Sequence, residues 1–163
     1  MSANLTILPS DSPPPKYPNE VRIAYARLRT EEGKRPRAYN DATGKTVTCL
    51  PEGNLTIAFG TNLEDGLDNE EQDWLLEHRL GIAYAESSRF GWYAALNDVR
   101  ASVILDLVYN DGLGHLLHFP HMLAAISVSD WPRAKDELLN SDAARELESR
   151  YVPLATLLYR GTL

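Results

Sequence analysis

Residues 28–60, LRTEEGKRPRAYNDATGKTVTCLPEGNLTIAFG, decide how this chain is read. Val21, Tyr25, Leu28 and Glu32 stand at i, i+4, i+7 and i+11, so a helix over residues 18–33 carries Glu32 as the continuation of an apolar stripe. That register points Glu32 inward, at the end of a helix closed by Gly33 and followed by Pro36. Apolar surroundings and the negative end of the helix dipole both disfavour a carboxylate. The position therefore favours a protonated carboxyl, the state a general acid requires. Asp41, nine positions on, lies in the polar turn YNDATGK, where solvent keeps a carboxylate ionised. In LTIAFG the alternation puts Leu55, Ile57 and Phe59 on one strand face and Thr56, Ala58 and Gly60 on the other, so the Thr56 hydroxyl shares its face with small residues.

One carboxyl held protonated and another held ionised are the minimum equipment for cleaving a glycosidic bond. The same residues also make an ordinary helix end, an ordinary turn and an ordinary strand, so residue types alone leave both readings open.

Outward from this stretch, residues 35–66 carry turn residues and short alternating runs and predict a small β-hairpin lobe. Asp68 followed by Glu71 has the form of a capping box and opens a helix into the eighties, tolerating Gly81, with Gly91 expected to end a helix. Residues 64–77 hold seven acids and no base, the pattern of a solvated face. Asn97 or Asp98 caps the next helix, whose Val99, Val103 and Leu107, flanked by Ile104 and Val108, mark the central core helix. It is expected to end in YNDGLGHLLHF. Asp130 and Pro132 open another helix, and residues 143–160 supply the last ones. The expected fold is α+β, mostly α: a small β lobe over 35–66, and a larger helical lobe over 67–163 joined by the helix over 18–33. A Ser/Pro-rich arm, residues 1–17, precedes this single domain.

Composition narrows the function. The chain of 163 residues suits one domain with a real core. Its one cysteine, Cys49, excludes an internal disulfide framework and fits a reducing compartment. No basic segment followed by an apolar core marks a signal peptide, and no apolar run is long enough for stable membrane insertion. A net charge of −7 argues against nucleic-acid binding. Residues 16–45 nevertheless hold eight bases against four acids, a local excess around the proposed cleft that would attract an anionic substrate. His115, His118 and His121 form an HxxHxxH series. Its spacing drifts round a helix and Pro120 interrupts it, so no metal is expected.

The order EG, then YxD, then TIxxG resembles the phage-type lysozymes of glycoside hydrolase family 24. That resemblance implies a lysozyme-like two-lobe fold with the active cleft between the lobes. It implies Glu32, Asp41 and Thr56 as the catalytic set; Thr46 and Thr48 lie in the same hairpin, and the LTIAFG context favours Thr56. By the same match Asn110 and Gly112, with Tyr39 and Phe119, would contact substrate, and Arg150 would pair with the catalytic Glu. The chain departs from the family in the insert GKTVTCLPEGN and at Ala58 and Thr61, where Gly and His are usual. The implied activity is an inverting muramidase that cleaves the β-1,4 bond between N-acetylmuramic acid and N-acetylglucosamine, without a cofactor. The implied partner is bacterial peptidoglycan, met by a monomer made in the host cytoplasm and delivered to the periplasmic wall with a holin or a virion. The alternatives are a lytic transglycosylase, which needs one carboxylate, and an inactive wall-binding or virion structural module.

Overall fold

A computed structural model of the chain describes residues 17–33, 35–39, 43, 45–46, 56–57 and 61–163. Asp41, Thr48, Cys49, Ala58, most of the insert and the first sixteen residues of the arm lie outside them.

The mostly helical character expected from the sequence holds, with seven α-helices among the described residues. Helix α1, Asn19–Glu31, follows Pro18 and buries Val21, Ala24, Tyr25 and Leu28, the stripe of an amphipathic helix. It stops where the backbone N–H of Glu32 donates to the Leu28 carbonyl and Gly33, at φ 68, takes the left-handed turn that glycine permits.

Two short antiparallel strands, β1 (Thr56–Ile57) and β2 (Thr61–Asn62), pair Thr56 with Asn62 and Ile57 with Thr61. A single bridge joins Tyr39 to Thr46. The sequence predicts one strand through residues 55–60. Of that run the described residues are Thr56 and Ile57, which form β1 and pair with β2, while residues 55 and 58–60 lie outside the described residues.

Helix α2, Asn69–Ser87, starts at a true capping box: the Asp68 carboxylate accepts from the Glu71 backbone and the Glu71 carboxylate from the Asp68 backbone, each at 2.8 Å. It passes through Gly81 and ends earlier than Gly91, because the Ser88 hydroxyl donates back to the Tyr84 carbonyl at 2.7 Å and closes the last turn.

Helix α3, Asp98–Leu116, is capped by Asn97 and is the centre of the molecule. It packs against α1, α2 and α7 (Glu148–Arg160) at once, so residues 101–108 are all buried. A helix with no solvent side must be apolar all round, as this run is apart from Ser102 and Asp106. The helix ends at Leu116, within YNDGLGHLLHF as expected, but it first breaks at Gly112 (φ 78, ψ 160), a backbone state open essentially to glycine. Helices α4 (Pro120–Ser127), α5 (Trp131–Leu139) and α6 (Asp142–Glu146) complete the fold, with α5 packed on α4 and α7. The expected helical stretch over 143–160 is divided at Leu147, whose φ −128 and ψ 53 are not helical.

Candidate functional site

Asp106 is the deepest charged group among the described residues, with its side chain fully buried in α3. A carboxylate there needs donors on both oxygens. Arg27 of α1 donates through Nε to Oδ2 at 2.9 Å, and Arg150 of α7 donates through Nη2 to Oδ1 at 3.0 Å. Asn110, one turn along α3, adds its amide to Oδ1 at 3.2 Å and to the Asp106 carbonyl at 2.9 Å. Arg27 also reaches the Ser102 carbonyl at 2.8 Å. All these side-chain partners donate, which is the pattern an ionised carboxylate accepts. Burial pushes the Asp106 carboxyl above the usual carboxylate range, against the pull of Arg27 and Arg150.

Arg150 is shared. Its second terminal nitrogen, Nη1, donates to Oε1 of Glu32 at 3.2 Å, so one guanidinium spans a buried carboxylate and one at the surface. The inward orientation expected for Glu32 is corrected here, since its side chain is 46% exposed against 0% for Asp106. The reason is positional. Glu32 is the residue after α1, so the helix that carries the apolar stripe has already ended, and Gly33 follows at φ 68. Its neighbour Glu31 is the carboxyl that burial raises, helped by the charge of Asp106 and opposed by Arg27 and Arg150.

Glu32 opens onto a cleft of about 320 Å³ whose walls include Arg35, Tyr39, Gln72, Tyr109 and Asn110. Arg35 lies over the Tyr39 ring, 5.2 Å from its centroid, and places a cation at the rim. Burial raises the Tyr109 hydroxyl, with the Glu32 charge adding to it. Of the residues predicted from the sequence, the structure thus gathers Glu32, Tyr39, Asn110 and Arg150 around one cleft and its floor. Thr56 is exposed on β1 and is not among the residues lining that cleft. Gly112, the residue at which α3 breaks, also does not line it. Phe119 belongs to the core and to another pocket, because it precedes α4 and packs edge-on against His115 at 5.5 Å. That second pocket, about 380 Å³, is also lined by His115, His118, His121 and Glu137. Among the described residues no three His, Cys, Asp or Glu side chains are placed to hold a metal ion.

Sequence reasoning missed Asp106 and Arg27. The signal for Asp106 was available: an acid inside VILDLVY, where no helix face is polar, must find a buried cationic partner. Nothing local to Arg27 distinguishes it from the other arginines of α1.

No family model matches the chain. The chain is similar to the curated protein named Probable T4-type lysozyme 1 of Dictyostelium discoideum, with 23% identity over an alignment that covers 83% of this chain and 93% of that protein. The helical architecture is consistent with a fold like that of T4 lysozyme.

Proposed function

We propose that the protein is a lysozyme, a peptidoglycan hydrolase that cleaves the β-1,4 bond between N-acetylmuramic acid and N-acetylglucosamine with inversion at the anomeric carbon. The observation that carries this reading is the Glu32–Arg150 pair at the mouth of the cleft, where a carboxyl group at a helix end is oriented by a guanidinium from a distant helix. The likeness to a T4-type lysozyme along most of both chains supports it.

Glu32 is the general acid. In the free protein water reaches it, and a glycan seated in the cleft excludes that water, supplying the desolvation that favours the protonated carboxyl. Glu32 gives its proton to the glycosidic oxygen as the C1–O bond breaks. A water molecule adds to C1 from the opposite face, losing its proton to Asp41, with Thr56 holding that water. Inversion asks for carboxyls roughly 6.5–9.5 Å apart, so that the water fits between them and the sugar. Tyr39 and Asn110 contact the saccharide from the cleft wall, and the cationic rim that includes Arg35 draws in anionic wall polymer. The chemistry asks for no cofactor. In this reading the chain is of the phage type, acts in host lysis or wall penetration, and reaches the periplasmic wall from the cytoplasm with a holin or a virion.

Incubating the protein with purified peptidoglycan and following reducing ends and product anomers by NMR tests this. The expected product is a new reducing end that is α when first released. An anhydro product without a reducing end indicates a transglycosylase, an initial β anomer means retention, and no cleavage at all overturns the enzymatic assignment.

A further inference from the structure

We infer that Asp106 is a positioning residue which, by holding one side of the Arg150 guanidinium, fixes where Arg150 meets Glu32 and how much of its positive charge Glu32 feels. The geometry is direct. Asp106 Oδ1 takes Arg150 Nη2 at 3.0 Å, Glu32 Oε1 takes Nη1 at 3.2 Å, and Arg27 secures the other Asp106 oxygen at 2.9 Å. A long arginine on a surface would sample many rotamers, whereas this one is tied at its inner end to a buried carboxylate on the central helix. Arg150 is thereby divided between two anions. A guanidinium given wholly to Glu32 would stabilise its ionised form more and make it a poorer proton donor. The groups around this junction are Arg27 and Glu31 from α1, Tyr109 and Asn110 from α3, and Arg150 from α7 with Tyr151 and Asp111 behind it; Arg29, Arg35 and Asp73 line the cleft onto which Glu32 opens, and Arg79 of α2 acts on Tyr109. No other cation among these contacts both acids directly.

The bearing on catalysis rests on Glu32 being the proton donor, so the test reads the contact and the reaction separately. Carbon-13 NMR of labelled glutamate carboxyls, with Glu32 assigned by its loss in Glu32→Gln, follows its titration in the wild type and in Asp106→Asn. The expected midpoint falls by roughly one pH unit in Asp106→Asn. In an Arg150→Met background the same Asp106→Asn change should move it by less than half as much, since only the direct field of Asp106 is left. No shift, or equal shifts in both backgrounds, overturns the inference. If Asp106→Asn does not fold, the pair Arg27→Met with Asp106→Leu removes one charge of each sign and replaces a buried ion pair with apolar side chains, a change cores commonly accept. The Glu32 midpoint should still fall, and an unchanged or raised midpoint counts against us. On peptidoglycan, the alkaline limb of the rate profile should move down with the NMR midpoint. A wild type that cleaves nothing sinks the muramidase reading alone, because the titrations still judge the contact.

Discussion

In α3 eight consecutive residues, 101–108, are buried, whereas Arg35 and Tyr39 of the cleft wall and Thr56 and Ile57 of β1 are all exposed. The two regions meet at Arg150, which touches Asp106 in the first and Glu32 in the second. The difference teaches where stability and chemistry are kept. The helical body draws its stability from close packing around α3, and the exposed groups such as Arg35 and Tyr39 add little to that packing, so they can serve a ligand. Substitutions on either side of Arg150 should therefore separate turnover from folding.

The largest effect belongs to Glu32→Gln. It should lower peptidoglycan cleavage by roughly 10²–10⁴-fold, the range supplied by a general acid, with the melting temperature close to wild type. A variant that keeps more than about a tenth of the activity removes Glu32 from the mechanism. Next is the contrast between Leu105→Ala, at a fully buried position, and Ile57→Ala, at a side chain 55% exposed. Urea unfolding should show a loss of about 2–5 kcal/mol for the first and within about 0.5 kcal/mol for the second. Equal losses would erase the distinction drawn here.

Gly112→Ala probes the break in α3. Nothing lies within 4 Å of an added Cβ, so any cost comes from the backbone at φ 78 and not from a clash. That cost should be about 1–3 kcal/mol, measured by denaturant unfolding. Asp68→Ala removes the carboxylate of the α2 capping box and should cost about 1 kcal/mol, with cleavage intact. The smallest effect is expected for Glu31→Gln. Burial and Asp106 raise the Glu31 carboxyl in the folded protein, so ionising it there is less favourable than in the unfolded chain. That penalty is fully present above the folded-state value and gone below the ordinary glutamate value. Thermal melts should show Glu31→Gln slightly more stable than wild type at neutral pH, with the gain fading as the pH falls. A gain that grew on acidification would reverse the sign assigned to this group.

Much of the helical framework was legible in the residues. Asp68 with Glu71, Asn97, and Asp130 with Pro132 each announced a helix start because capping is a local arrangement of a few neighbouring atoms. The stripe Val21, Tyr25, Leu28 was legible for the same reason, and its failure at Glu32 shows the limit of periodicity. A helix period holds only while the helix lasts, and Gly33 ends this one at the point where the stripe would have continued. Gly91 misled because a serine side chain closed α2 first. Glu32, Tyr39 and Asn110 could be proposed together through a family resemblance. The buried junction beneath them could not, because Arg27, Asp106 and Arg150 come from three helices with no shared local pattern, and only packing brings them together.

The bond from Arg150 to Glu32 joins positions 118 residues apart. Contacts of that separation pay their loop-closure entropy late, after nearer pairs such as those between α4 and α5 have formed. On a ribosome the order is stricter still. Glu32 emerges before Arg150, so a nascent chain holds the carboxyl without its guanidinium until α7 docks. The contact that orients the acid forms only after α7 is made, and a product stopped short of α7 would carry every cleft-wall residue named here while lacking that cation.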